Sequence, residues 1–130
     1  IVGDIGSATN YDVINEKGAF IGGAISPGPE TAAKNLFKKG ALLKEAAFTL
    51  PASAVGKDTA TNLQSGIMMG AIDSIDGMFS RIQSEMGWEN PHRIITGGFG
   101  EIISPHIKTE HTLIPTLTLD GIKIIYEKVS

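Results

Sequence analysis

The chain has 130 residues, 42% of them hydrophobic, and its 14 acidic and 11 basic residues give a net charge of -3. This length and apolar content suit one domain with a buried core, whereas the charge and the 6% aromatic content disfavour a nucleic-acid partner. No apolar run is long enough to cross a membrane. The sequence has no cysteine, which excludes disulfides and suits a cytoplasmic protein. Because the chain begins with Ile1 rather than Met, we expect it to be a piece of a longer protein.

The first part of the chain predicts three short strands followed by a helix. Alternating apolar residues and tight turns indicate strands over residues 1–5, 11–14 and 19–25. Their close spacing favours an antiparallel meander. Pro29 suits the first turn of a helix that we expect to run to about Lys39.

The strongest periodic signal lies in residues 59–86, where apolar residues recur at spacings of three and four and predict one long helix. The expected buried face comprises Leu63, Ile67, Ala71, Ile75, Met78, Phe79, Ile82 and Met86. Gly66, Gly70, Asp73 and Gly77 form a neighbouring stripe. Since glycine destabilises a helix interior by roughly 1 kcal/mol, this stripe indicates close packing, either against the sheet of the same chain or against another subunit.

The remaining sequence predicts a strand over residues 92–96, a short helix over 101–104, a strand over 112–114 and a final helix over 118–128. We expect Thr118 to cap the final helix. The apolar face of that helix comprises Ile122, Ile125 and Tyr126. The order of elements predicts a mixed α/β domain with one sheet and helices on its faces.

The turn in DIGSAT, which begins at Asp4, is a candidate ligand site. Gly6 can adopt positive φ, which lets backbone N–H groups converge on an anion, and the Ser7 and Thr9 hydroxyls add donors. A carboxylate does not attract an anion, so Asp4 would bind a cation beside it. The alternative is a small-residue turn in which Asp4 accepts backbone hydrogen bonds.

Two further segments carry residues suited to ligand binding. In TGG, Gly97 and Gly98 follow a strand, where α/β sheets commonly bind ligands, although a helix start explains them equally well. In GKDT, Asp58 or Thr59 can cap the long helix, and a hydroxyl at Thr59 can also contact a polar substrate.

Other polar residues show no pattern typical of catalysis or metal binding. His92, His106 and His111 lack the spacing of metal ligands and are expected at the surface or in loops. Asp73 and Asp76 lie three residues apart on the predicted long helix and are expected on a solvated face. The sequence contains neither a Walker-type loop nor a Ser-His-Asp order.

Taken together, the segments resemble the type III pantothenate kinase family. DIGSAT resembles its D-x-G-T-A-T element, GGAISPG resembles G-G-x-I-x-P-G, and GKDT with the downstream QSG resembles G-K-N-T and its Q-S-G. TGG and LTLDG resemble the adenosine element and the start of the C-terminal helix. The resemblance covers essentially all 130 residues. It implies ATP-dependent phosphorylation of pantothenate to 4'-phosphopantothenate, the first step of coenzyme A biosynthesis.

The resemblance also implies a ribonuclease-H-like domain of the actin-like superfamily, in which two such halves bind ATP in the cleft between them. Residues 1–130 would form the C-terminal half of a two-domain kinase, and its first hairpin would be the second phosphate loop. The first phosphate loop and the catalytic aspartate would lie in an N-terminal half that this chain lacks. We therefore expect no catalytic residue here, no turnover by this fragment alone, and, as is common in the family, a homodimer.

The resemblance further assigns roles to individual residues. Asp4 would bind a monovalent cation, potassium or ammonium, while magnesium would accompany ATP. The residues expected to contact ATP are Gly6, Ser7, Gly97 and Gly98. Thr59 would contact pantothenate. Two other functions stay open: a kinase of another small hydroxylated substrate, and a non-catalytic regulatory protein that has kept the fold.

Overall fold

A computed structural model describes residues 1–36 and 48–130 of the chain. Within these two ranges, one mixed sheet has the strand order β3-β2-β1-β4-β5. Its strands are β1 (Val2–Ile5), β2 (Ala8–Ile14), β3 (Phe20–Pro27), β4 (Ile94–Thr96) and β5 (Thr112–Leu113). The first three form an antiparallel meander, whereas β4 pairs in parallel with β1 and β5 in parallel with β4. The predicted mixed α/β domain is confirmed.

The helices of the described part are α1 (Pro29–Leu36), α2 (Thr59–Gln64), α3 (Gly70–Met86), α4 (Gly100–Ile103) and α5 (Leu117–Val129). A π-helical turn, Ser65–Met69, joins α2 to α3, so the predicted long helix is present with one wider turn. The predicted end of the first helix, near Lys39, lies outside the described residues. Across the two described ranges, no helix has both the length and the hydropathy needed to cross a membrane.

The core lies between the sheet and α3. The buried ring of Tyr11 on β2 meets the ring of Phe79 edge-on, with ring centroids 6.2 Å apart. A Cβ added at Gly3 would lie 3.4 Å from the Phe79 ring, so the small residue on β1 admits the aromatic side chain. Burial of Ile75, Phe79 and Ile82 confirms the face predicted from the periodicity.

The final helix differs from the expectation in two ways. It begins at Leu117, and its N-cap residue is Thr116 rather than Thr118, with the Thr116 hydroxyl donating to the Asp120 carboxylate at 2.9 Å. None of its 13 residues is buried, and Ile122 is more than half exposed. The predicted apolar face therefore exists, but no described part of the chain covers it.

The glycine stripe of the long helix is also uncovered. A Cβ added at Gly66, Gly70 or Gly77 would meet no described atom within 4 Å. The sheet of the same chain is therefore not the close neighbour that the stripe indicates, because the sheet packs on the opposite, apolar side of the helix.

The prediction that Asp76 lies on a solvated face is wrong. Its Oδ1 accepts hydrogen bonds from the Thr109 N–H at 2.9 Å and the Thr109 hydroxyl at 2.7 Å, and its Oδ2 accepts from the Lys108 N–H at 3.1 Å. Partial burial opposes ionisation of this carboxyl, but the hydrogen bonds outweigh it and lower the pKa of Asp76 below its ordinary value. Asp76 thus ties α3 to the segment that leads into β5.

His111 lies in the loop before β5, as expected, but both of its ring nitrogens have partners. Nε2 lies 2.6 Å from the Ser104 hydroxyl, and Nδ1 lies 2.7 Å from the Thr109 carbonyl oxygen. A neutral ring protonated at Nδ1 donates to Thr109 and accepts from Ser104. The same loop is therefore held both by His111 and by Asp76.

We predict that Asp76→Asn lowers the free energy of unfolding by about 1–2 kcal/mol, since the amide keeps one acceptor oxygen but turns an N–H₂ group toward a backbone donor. A lowered folded-state pKa stabilises the fold above the ordinary carboxyl pKa, and this contribution is lost as pH falls through the lowered value. Urea unfolding of the complete protein at neutral pH and at about pH 3 tests both effects, with the wild-type advantage shrinking at the acidic pH.

Asp73→Asn is the matched control, because Asp73 is an exposed carboxylate on the same helix. We expect it to change the free energy of unfolding by less than about 0.5 kcal/mol. Equal losses in the two variants would mean that the contacts of Asp76 with Thr109 and Lys108 contribute nothing specific.

Candidate functional site

Except for Thr59, the candidate residues lie in or just after strands at the edge of the sheet where the parallel strands β1, β4 and β5 end. Asp4 on β1 is in register with Thr96 on β4 and Asn10 on β2. Just beyond the strands, the Phe99 N–H donates to the Ile5 carbonyl oxygen at 2.9 Å, which holds the loop after β4 against the end of β1. The carboxyl edge of a parallel sheet is where α/β domains commonly bind ligands.

At this edge, the backbone of Gly97 passes very close to Asp4 and Ile5 at the end of β1. Its φ is +96°, a value that residues with a side chain rarely adopt. A Cβ at this position would lie 2.5 Å from Asp4 Oδ1 and 2.5 Å from both the N and O atoms of Ile5. Glycine is therefore required, and the loop passes directly beside the Asp4 carboxylate. The next residue, Gly98, is exposed, and a Cβ there would meet no described atom within 4 Å.

The turn between β1 and β2 differs from the expectation. The φ of Gly6 is not positive, and its N–H donates to the Ala8 carbonyl oxygen at 3.0 Å, so it does not join a set of N–H groups aimed at an anion. The Ser7 carbonyl oxygen instead accepts from the Gly28 N–H at 2.9 Å and from the Thr31 hydroxyl at 2.6 Å. The hairpin tip is thereby fixed to the start of α1.

Two polar side chains at this edge are left without partners. The half-buried Asp4 carboxylate accepts no hydrogen bond from residues 1–36 or 48–130, and the exposed Ser7 hydroxyl makes none with them either. The alternative in which Asp4 accepts backbone hydrogen bonds of the turn is therefore not the arrangement observed. An unpaired carboxylate close to backbone carbonyls suits a cation.

Asp4 would not bind a cation with other acidic or histidine side chains. In the described part of the chain, no three His, Cys, Asp or Glu residues lie close enough to hold a metal ion together. A cation at Asp4 would have to complete its ligand set with backbone carbonyls, water or the oxygens of a bound phosphate. Oxygen ligands of this kind suit hard cations.

Thr59 begins α2, but Asp58 and Thr61 cap that helix. Asp58 Oδ1 accepts from the Thr61 N–H at 2.8 Å, and Thr61 Oγ1 accepts from the Asp58 N–H at 3.2 Å, a reciprocal capping box. The hydrogen bond from the Thr61 N–H is the main reason that the pKa of Asp58 is lowered. The exposed Thr59 hydroxyl makes no hydrogen bond with the described residues, so capping does not account for it.

A groove of about 380 Å³ runs between α1 and the long helix. Gly28, which contacts the hairpin tip, lines one end, and Asn62, Gly66 and Ser74 line the side formed by the long helix. Asn62 lies three residues after Thr59, so the two share one side of α2. The sequence analysis gave Gly28 no site role of its own and missed Asn62. The segment GGAISPG, which includes Gly28, was the available signal.

The chain is therefore an α/β domain in which glycine-containing turns leave a carboxylate and a hydroxyl free at the carboxyl edge of the sheet. The sequence profile of the family described as type III pantothenate kinase matches residues 1–81. Because that match spans more than half of the chain, the chain belongs to the type III pantothenate kinase family.

Curated relatives agree with this assignment. Proteins named type III pantothenate kinase from Moorella thermoacetica, Acidobacterium capsulatum and Desulfatibacillum aliphaticivorans are 40%, 40% and 42% identical to it. The alignments cover 98%, 98% and 100% of this chain but 50%, 46% and 51% of the relatives. The chain thus spans about half the length of the curated relatives that it matches.

A solved structure shares the fold. The crystal structure of a Campylobacter jejuni protein described as a member of the Baf family of transcriptional activators superimposes with a TM-score of 0.67. The superposition covers 98% of this chain and 56% of that chain, with 22% sequence identity. This likeness confirms the fold.

We predict that Gly97→Ala lowers the free energy of unfolding of the complete protein by about 2–3 kcal/mol, because the new Cβ meets Ile5 backbone atoms and the φ is strained. Gly98→Ala is the matched control, with a change below about 0.5 kcal/mol, since its Cβ enters open space. Denaturant unfolding measures both. Equal stability of the two variants would show that the loop does not pass beside β1 as described.

Proposed function

We propose that this chain is the C-terminal half of a kinase that phosphorylates pantothenate with ATP, giving 4'-phosphopantothenate for coenzyme A biosynthesis. The observation that carries the proposal is the unpartnered Asp4 carboxylate and Ser7 hydroxyl at the edge formed by β1 and the Gly97 loop. Family membership supplies the reaction. The relatives are about twice as long, so we propose that the catalytic base and the rest of the ATP site lie in an N-terminal half.

The topology supports a ribonuclease-H-like domain spanning residues 1–130. An antiparallel meander opens the chain, and two parallel strands follow, in the order β3-β2-β1-β4-β5. Two such halves would enclose ATP between them. We infer that this half alone has no turnover. The lack of cysteine accords with a cytoplasmic enzyme.

We propose that ATP lies across the edge between the hairpin tip and the Gly97 loop. Ser7 would donate its hydroxyl to a phosphate oxygen, and Gly6 would let the phosphates approach the turn because it has no side chain. Gly97 and Gly98 would line the adenosine pocket. Magnesium would enter with ATP.

The Asp4 carboxylate fits a monovalent cation, potassium or ammonium, because no described residue donates a hydrogen bond to it. When bound there, the cation offsets negative charge that accumulates around the transferred phosphoryl group. Asp4 would hold the cation in place, because β1 and the Gly97 loop fix the position of the Asp4 carboxylate.

We propose that pantothenate enters the groove between α1 and the long helix. Gly28 joins this groove to the hairpin tip, so a substrate bound there would reach the phosphate end of the site. The Thr59 hydroxyl shares a side of α2 with Asn62 and is not used in the helix cap. These features support Thr59 as a pantothenate contact.

We also propose a homodimer formed along the uncovered glycine stripe. Gly66, Gly70 and Gly77 have no described atom within 4 Å of an added Cβ, so a second long helix could approach closely there. The stripe borders the substrate groove, because Gly66 and Gly70 also line it. A dimer of this kind would bring the second subunit next to the substrate.

The proposal is tested by ATP turnover of the complete protein with pantothenate, measured with potassium and then with only a bulky organic cation. We expect turnover that requires both pantothenate and potassium. Turnover with a different small hydroxylated compound but not with pantothenate would identify another kinase of the family fold. Folded protein without turnover in any condition would indicate a regulatory protein that has kept the fold.

In the complete protein, Asp4→Asn should lower kcat/KM for ATP by about 10- to 100-fold and abolish activation by potassium, because the cation loses its charged ligand. Asp12→Asn is the matched control, since Asp12 lies further along the same sheet face, paired with Val2 and away from the edge. Potassium activation that persists unchanged in Asp4→Asn would refute the cation role.

Thr59→Val should raise KM for pantothenate about tenfold and leave KM for ATP nearly unchanged, as expected when one hydrogen bond to the substrate is lost. Thr59→Ser keeps the hydroxyl and should restore the wild-type KM. Stability should not change, because Asp58 and Thr61 form the cap. Parallel rises in both KM values would show that Thr59 acts on the whole site rather than on pantothenate.

A further inference from the structure

The buried phenol of Tyr11 has no hydrogen-bond partner among the described residues. The residue is only 2% exposed, and its edge-on contact with Phe79 fixes the ring beneath α3. A buried hydroxyl without a partner costs free energy, because water hydrogen-bonds the same group in the unfolded chain. A phenylalanine would keep the ring contact and avoid that cost. The phenol oxygen therefore calls for a partner that the described residues alone do not supply.

Ser74 on α3 is the polar neighbour of this phenol. Burial raises the pKa of Tyr11, and the Ser74 hydroxyl beside it partly offsets the rise. The two hydroxyls do not meet the geometry of a hydrogen bond as they stand. Ser74 is exposed, so its side chain can change rotamer and bring Oγ toward the phenol while remaining open to a ligand.

Ser74 also lines the groove that we propose for pantothenate. The groove meets the hairpin tip at Gly28, whereas Tyr11, beside Ser74, lies four residues along the chain from Ser7. At about 3.3 Å per residue of strand, that separation is about 13 Å. It is comparable with the length of extended pantothenate, whose phosphate-accepting hydroxyl and carboxylate lie at opposite ends. With the hydroxyl at the phosphate end, the carboxylate would reach Ser74.

We propose that Ser74 donates its hydroxyl to the carboxylate of pantothenate, and that Tyr11 donates its phenol hydroxyl to Ser74 Oγ in the bound state. This inference rests on the proposed function, to which it adds a specificity-determining contact and a positioning residue. The described residues that line the groove include no Lys or Arg, so a neutral donor is what they offer a carboxylate. A hydroxyl that accepts one hydrogen bond donates more strongly in the next, and the bond to a charged acceptor gains most.

Steady-state kinetics of the complete protein test the contact. Ser74→Ala should raise KM for pantothenate about tenfold and Tyr11→Phe about threefold, with KM for ATP nearly unchanged, since a charge-assisted hydrogen bond is lost or weakened. The double variant should resemble Ser74→Ala, because both residues act on one contact. Ser74→Thr keeps the hydroxyl and should retain the wild-type KM. Ser80→Ala is the matched control, an exposed serine of α3 outside the groove.

Pantothenyl alcohol, in which a hydroxyl replaces the carboxylate, separates recognition of the carboxylate from a general effect on the groove. With this substrate, Ser74→Ala should raise KM less than about threefold, since a neutral acceptor makes a weaker hydrogen bond. A merely structural role would give the same fold-change with both substrates. Tyr11→Phe should leave the midpoint of urea unfolding unchanged or higher, because it removes an unpartnered buried hydroxyl.

A wild-type KM for pantothenate in Ser74→Ala would overturn this inference and leave the kinase intact. Equal fold-changes with the acid and the alcohol would overturn it as well. If the wild-type protein binds pantothenate without turnover, the kinase is refuted and calorimetry decides the contact: about tenfold weaker binding by Ser74→Ala supports it, and equal binding overturns it. Wild-type protein that neither binds nor phosphorylates pantothenate would overturn both proposals.

Discussion

The candidate site and much of the second half of the fold depend on one close contact, the passage of Gly97 beside the end of β1. No side chain fits there, because the Asp4 carboxylate and the Ile5 backbone fill the space. Once the loop is seated, the Phe99 N–H reaches the Ile5 carbonyl oxygen and α4 begins at Gly100. The same contact that brings Asp4 to the ligand edge therefore also directs the chain toward β5.

Elements with a strong hydrophobic period could be predicted from the sequence, and elements defined by distant contacts could not. The long helix and the meander follow from spacing alone. Asp76 was misjudged because its partners, Thr109 and Lys108, are more than 30 residues away in sequence. For α5, periodicity shows that one face is apolar but cannot show whether anything in the same chain covers it.

The candidate site also contains features that could be predicted from the sequence and features that could not. The segments containing Asp4, Gly97 and Thr59 could be recognised from residue type and order. The sequence could not show which glycine has positive φ. Gly6 and Gly97 both lie in short turns, and only the tertiary contact of Gly97 with β1 distinguishes them. The anchoring of Ser7 on α1 was also hidden, because it uses a backbone carbonyl oxygen that carries no sequence signature.

The π-helical turn at Ser65–Met69 has a consequence for the side of the long helix that lines the groove. A π turn holds one residue more than an α turn, and each residue of a helix rotates the chain by about 100°. Removing that residue would leave a regular helix and an intact core around Phe79, but it would turn Asn62 away from the groove beside α1. The length of this one turn thus sets the angle between the face that holds the fold together and the face that meets the groove.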